Sequence, residues 1–272
     1  MTESLRRPQD QADGLRRLFA RTQARFLPVA SNPHMTFGGV MLERICTALA
    51  SYGAHTLVVD AAERAPQPKE WSVMELGECV EPLSADVSYL AARGLPLRFV
   101  DTHGSATGFL HAAADACPQA DIVLVHAGAT DLCRIFGRAD PARCAQPLVL
   151  ADEHPASVTH AYSNIKLLSQ RGGHAVQDLL LSAGRQSRRA ERIIRQLARC
   201  ADDFLAAALR ETLRVDPACP PHEASDEALL AWARGVIRSA TPSALASPQA
   251  DPAWSSAVAR AYRATDAAMA LN

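Results

Sequence analysis

The residues of this chain that could do chemistry gather where strands hand over to helices. The run RFLPVASNPHMTFGGVMLERICTALASYGAHTLVVD, Arg25 to Asp60, reads as a buried strand from Phe26 to Ala30 and a glycine-bearing loop. A helix beginning near Gly38 or Gly39 follows, and then a second strand from Thr56 to Val59, closed by Asp60. A phosphate loop occupies this place in nucleotide-binding proteins. Its glycines let backbone N–H groups turn toward phosphates, and the helix N-terminus adds a partial positive charge. It also needs a lysine on the β- and γ-phosphates and a Ser or Thr on Mg²⁺. Here no lysine stands in the loop, Pro33 removes one N–H donor, and Thr36 is out of register for the metal. Met35 and Phe37 are expected to put bulk where a ligand would approach. Strand, loop and helix alone favour an ordinary βαβ crossover.

Other reactive residue types give weaker patterns. His103, His126, His154 and His160 all come near strand C-terminal ends, where α/β proteins bind ligands. No HxxxH or HxH pair and no cysteine at ligand spacing accompanies them, so a metal centre is not expected. Ser105 in HGSATG lacks the GxSxG form of a nucleophile elbow. The seven cysteines, at 46, 79, 117, 133, 144, 200 and 219, form no CxxC pair and read as reduced thiols of a cytoplasmic protein. The basic run GRQSRRAERIIRQLAR is interrupted by Glu191 and followed by Asp202 and Asp203, as on a solvated helix face. With a formal net charge of -1, nothing draws the chain to nucleic acid. The charged N-terminus has no signal-peptide h-region, and no apolar run approaches the ~20 residues that span a bilayer.

These residues need a scaffold, and strands alternating with helices provide one. Strands are expected at 95–101, 120–125, 147–151 and 175–183, with a short one in LRVDP. Helices are expected at 84–93, over GSATGFLHAAADA, at 155–168, from about 187 to 212, at 225–238 and at 253–269. In the long helix Ile193, Ile194, Leu197, Phe204, Leu205, Leu209 and Leu213 should face inward. After Asp60, AAERAPQPKEWSV reads as a surface loop. The pattern predicts an α/β domain, a mostly parallel central sheet flanked by helices, with a short N-terminal helix and a helical C-terminus. The expected organisation is a disordered 1–9, a helix at 10–20, an α/β domain at 25–240, and a linker with a C-terminal helix at 241–272.

Two segments carry a family resemblance. QDQADGLRRL resembles the N-terminal DQAxxLR signature of the FlhG (FleN) proteins, with Asp10, Gln11, Ala12, Leu15 and Arg16 matching. These are MinD/ParA-type P-loop proteins that regulate flagellar number and placement. DEHPASVTHAYSNIKLLSQRGG, from Asp152, resembles the family's EPTSITDAYALIKLL segment through Pro155, Ser157, Thr159, Ala161, Tyr162, Ile165 and Lys166. LVVDAA and ADIVLVHAGA are similar to the family's LLLDAD and Walker B segments. The resemblance covers roughly 10–240.

The departures fall on chemistry. In this alignment Gly38 replaces the phosphate-loop lysine, Gly39 the Mg²⁺-binding Thr, and Pro33 the signature lysine that reaches a second subunit. Ala62 replaces the second acid of DAD, His126 the Walker B Asp, and Ala183 the base-reading Asn. Asp60, the first acid of DAD, is present, and Ser31 is counted with the degenerate site. Asp101, in LRFVDTHGSATG, is too far before Glu153 to serve as the Walker B acid and should end its strand, with Gly104-Ser105 opening the next helix. The resemblance therefore implies a degenerate nucleotide site, no enzyme activity and no cofactor; the alternative is an active ATPase using ATP and Mg²⁺ through unusual contacts. It also implies a partner, an FlhF-type GTPase related to signal-recognition particles, engaged by Asp10, Gln11, Ala12, Leu15, Arg16 and Leu18. A flagellar transcription regulator or basal-body component is a further class of partner. The weak apolar face of 253–270, with Trp254, Val258, Ala261, Tyr262 and Met269, predicts slight membrane contact at most.

Overall fold

The computed structural model describes residues 24–68, 76–219 and 226–238. The expected helices at 10–20 and 253–269, and with them Asp10, Gln11, Ala12, Leu15, Arg16 and Leu18, lie outside these residues.

Eight strands form one sheet. In chain order they are β1 (Arg25–Ala30), β2 (Thr56–Asp60), β3 (Glu81–Pro82), β4 (Val87–Ala91), β5 (Ile122–Ala127), β6 (Leu148–Asp152), β7 (Val176–Ser182) and β8 (Ala208–Val215). Their order across the sheet is β3-β4-β2-β5-β1-β6-β7-β8, and every pairing is parallel except β3 with β4. Among the described residues five α-helices lie between strands, α1 (Gly38–Ala50), α2 (Gly108–Ala116), α3 (Ala129–Phe136), α4 (Pro155–Gln170) and α5 (Arg188–Leu205), and a sixth, α6 (Glu227–Arg238), follows β8.

The central strands are apolar throughout because both faces are covered. Leu27, Val29, Val58, Ile122, Leu124, Leu148, Leu150 and Leu180 pack against α1 and α6. The alternate residues Phe26, Leu57, Val59, Val123, Val125, Val149, Leu179 and Leu181 belong to the core with α2, α3, α4 and α5. This alternation decides where each strand-end residue points. By parity Asp60, His126 and Asp152 fall on the α1 side of the sheet.

The structure corrects several expectations. Residues 84–93 contain strand β4, not a helix: buried Ser88 and Leu90 alternate with half-covered Val87, Tyr89 and Ala91. Residues 95–101 are not a strand. Gly94 turns with φ 77°, and Leu95–Phe99 close a 3₁₀ turn with Pro96 at its start, where a missing N–H costs nothing. Asp101 therefore ends no strand; it is exposed and accepts the N–H groups of His103 and Ser105. The following helix begins at Gly108, later than Gly104-Ser105. The helix expected to reach 212 stops at Leu205, where Ala206 takes a left-handed φ of 47°, and 208–215 become the edge strand β8. Phe204, expected inside, is 73% exposed.

Candidate functional site

The C-terminal ends of β1, β2, β5 and β6 converge on the start of α1. They enclose a cavity of about 270 Å³, just under the ~300–1,000 Å³ usual for ligand pockets. Seven of the eight residues assigned to the degenerate site line it: Ser31, Pro33, Gly38, Gly39, Asp60, Ala62 and His126. Ala183 does not. It is buried beyond the end of β7, where its N–H donates to the Val215 carbonyl.

Helix α1 opens on this cavity without a side-chain cap and without an acid in its first turn. Its leading N–H groups are therefore uncompensated by the protein. Gly38 and Gly39 have negative φ and open space where a Cβ would stand, so neither backbone strain nor a close neighbour requires glycine there. Met35 is buried and lines the cavity, as expected, but Phe37 is 49% exposed and lies away from it.

The loop before α1 is held from below. Asn32 Nδ2 donates to the Leu150 carbonyl (3.0 Å), the Ser157 carbonyl (2.9 Å) and Ser157 Oγ (3.0 Å), while its Oδ1 accepts from the His34 N–H. Asn164 Nδ2 donates to the Ser31 carbonyl at 2.9 Å. Asp152 accepts the N–H groups of Thr36 and His154. So the segment Asp152–Asn164 sets the shape of the loop. Sequence reading missed Asn32, Asp152 and Asn164 as supports, because the groups they hold lie more than a hundred residues away in the chain.

Asp60 and His126 are direct neighbours across β2 and β5. His126 Nδ1 lies 2.9 Å from Asp60 Oδ1, and both side chains are largely covered, at 13% and 15% exposure. Asp60 also accepts the Ala62 N–H and, at Oδ2, the Tyr89 hydroxyl at 3.2 Å. Burial, the Asp60 charge and that hydrogen bond push the Tyr89 phenol well above its ordinary value, so it stays a protonated donor. The Asp60 carboxylate is thus occupied by three donors, and its contact with His126 leaves the imidazole Nε2 as that ring's remaining polar atom.

Two charged residues at the cavity were not expected there. Glu63 and Arg64, in the stretch read as a surface loop, both line it. The other histidines do not converge: His103 sits on an exposed loop, His154 Nδ1 caps α4 through the Ala156 N–H, and His160 meets His34 edge-on with ring centroids 5.5 Å apart. Among the described residues no group of three His, Cys, Asp or Glu side chains could hold a metal ion. None of their helices is long and apolar enough to cross a membrane.

No family model matches the chain, and no curated protein matches it in sequence. Solved structures do match in shape. MinD cell division protein of Aquifex aeolicus aligns over 83% of this chain and 99% of its own, with TM-score 0.50 and 14% identity. An ATP complex of Cyanothece McdA aligns over 83% and 99%, with TM-score 0.51 and 16% identity. Cobyrinic acid a,c-diamide synthase of Mycobacterium smegmatis, with bound ADP and magnesium, aligns over 79% and 94%, with TM-score 0.53 and 13% identity.

The chain has the MinD/ParA-type P-loop fold.

Identities this low establish the fold alone. Within the MinD/ParA fold, the β1–α1 loop of this chain occupies the topological place of the phosphate loop, and the cavity lies in front of it.

Proposed function

We propose that the chain is a regulator of flagellar biosynthesis that uses the MinD/ParA fold as a scaffold without hydrolysing ATP, and that it engages an FlhF-type GTPase through the segment containing Asp10, Gln11, Ala12, Leu15, Arg16 and Leu18. The observation that carries the first half is the donor set around the cavity. Four phosphate charges would meet the uncapped end of α1 and one exposed arginine, Arg64, with Glu63 opposing it. A helix N-terminus contributes about 0.3–1 kcal/mol per exposed anion, too little to replace a lysine and a divalent ion. Nor do the acids suit Mg²⁺. Asp60 is held by His126, Tyr89 and the Ala62 N–H, and Asp152 by the Thr36 and His154 N–H groups. The residues present do not fit a magnesium nucleoside triphosphate.

The second half rests on the DQAxxLR resemblance. An ATP-bridged dimer, which the family builds with its signature lysine, is not expected with Pro33 at that position. The test is GTP hydrolysis by a purified cognate FlhF-type GTPase with and without this protein. Stimulation should occur without ATP and fall to the basal rate in a variant carrying Asp10→Ala, Gln11→Ala and Arg16→Ala. Undiminished stimulation by that variant would remove the assigned role of the segment.

A further inference from the structure

We propose that the outer face of α5 is a docking surface for an acidic helical segment of a partner protein, gripped by the row Arg188, Arg192, Arg195 and Arg199. These residues take no part in the cavity before α1, and the inference is independent of what that cavity binds.

Spacing makes the row. Steps of four, three and four residues return to the same side of a helix. The buried residues Ala190, Ile193, Leu197 and Ala201 recur on the opposite side. All four arginines are exposed. Of the four, only Arg199 has an ion pair among the described residues, with Asp203 at 3.3 Å, and its side chain stays 84% exposed. Arg195 turns its Nε back to the Glu191 carbonyl at 3.3 Å. The guanidinium groups are therefore open to a carboxylate from outside.

The row runs against the electrostatics of its own helix. A helix favours acids near its N-terminus and bases near its C-terminus. Arg188 and Arg189 open α5 and Arg192 follows, with Glu191 as the acid of the first turn. Asp202 and Asp203 stand in the last turn, which holds no basic residue. Helix stability does not account for this order; an external anion does.

Shape selects the partner. The row is one side chain wide and about 16 Å long at about 1.5 Å per residue. Glu191 borders it, and Asp202 and Asp203 close its end. A broad polyanion such as duplex nucleic acid or an anionic bilayer would meet those carboxylates. A second copy of this chain, laid antiparallel, would set arginine row against arginine row. A partner helix with Glu or Asp at the same spacing presents carboxylates about 5–6 Å apart, and guanidinium forks pair with carboxylates bidentately.

The test is a titration of the isotope-labelled full-length protein, followed by amide NMR shifts. The probe is an alanine-based helical peptide with four glutamates at that spacing. The control has the same composition with its glutamates spread round the helix. At low ionic strength, saturable shifts centred on α5 are expected, with a Kd of about 1 mM or tighter and several-fold weaker binding of the control. Salt should weaken the binding steeply. The variant Arg192→Glu, Arg195→Glu should weaken it about tenfold or more. Arg188→Glu should also weaken it while raising the melting midpoint, because an acid at the start of α5 agrees with the helix dipole; that pairing separates lost binding from lost folding. No saturable shift, equal binding of both peptides, or binding untouched by the double variant overturns the inference. Tighter binding of a DNA duplex or of phosphatidylglycerol vesicles to the same row overturns it in favour of that partner class.

Discussion

Asp178→Ala is expected to destabilise the fold by about 3–5 kcal/mol, read as a fall in the denaturant midpoint. Asp178 is 1% exposed on β7. It accepts two guanidinium N–H groups from Arg210 on β8, at 3.1 and 2.6 Å, and the Trp232 indole N–H from α6 at 2.9 Å. The Glu211 backbone N–H completes the set. One carboxylate thus fastens the edge strand and the last described helix to the sheet. Its removal strands the Trp232 N–H in the core and leaves Arg210 and the β8 backbone unpaired. Asp178→Asn, which keeps one acceptor oxygen, should cost less. A loss below about 1 kcal/mol for the alanine variant would mean that solvent replaces these bonds at no cost and that the cluster does not hold the edge.

Replacing His126 by the acid that the MinD/ParA resemblance places there gives the second large effect. In His126→Asp two carboxylates would face each other where one carboxylate now meets an imidazole at 2.9 Å. Two like charges at about 4 Å and an effective dielectric near 20 repel by about 4 kcal/mol. The folded variant can relieve this by holding one proton between the pair, so its shared affinity for a proton must rise above that of the unfolded chain. Because the folded variant binds the extra proton, its deficit is greatest at pH 7–8 and shrinks as pH falls through the raised value toward about 4. Denaturation midpoints measured across that range check it; a deficit independent of pH, or none at all, would show that the pair does not couple electrostatically.

The sheet was legible where the physics is local. Phe26–Ala30, Leu57–Val59 and Val123–Val125 are short apolar runs, too short for a helix and rich in β-branched residues, and these become central strands. The errors came where two periodicities fit one stretch. Leu205, Leu209 and Leu213 recur at helical spacing and extend α5 on paper, but Leu213 and Val215 also recur at strand spacing, and pairing with β7 decides. Likewise Leu95 to Val100 reads as apolar strand until Gly94 and Pro96 are allowed to form a turn.

The site was legible in part for a different reason. Glycines, Asp60 and His126 fall at strand ends that topology must bring together, so sequence order alone places them round one cavity. Arg64 and Glu63 were not legible, because a loop's path over the cavity leaves no periodic trace. Asn164 gave no sign that it holds the Ser31 carbonyl, since the two lie more than a hundred residues apart. Asn32, Asp152 and Ser157 make the same point: the bonds from Asn32 to Ser157 and from Thr36 to Asp152 are long-range and polar, and no spacing rule reports them.

Whether this MinD/ParA scaffold works without ATP is decided by titrating the purified full-length protein with ATP and ADP, each with and without Mg²⁺, by isothermal calorimetry. No Mg²⁺-dependent heat is expected for either nucleotide up to millimolar concentration. Micromolar binding that requires Mg²⁺ would contradict the scaffold reading, and would mean that the cavity before α1 gathers cationic partners that Gly38, Gly39 and Pro33 do not supply.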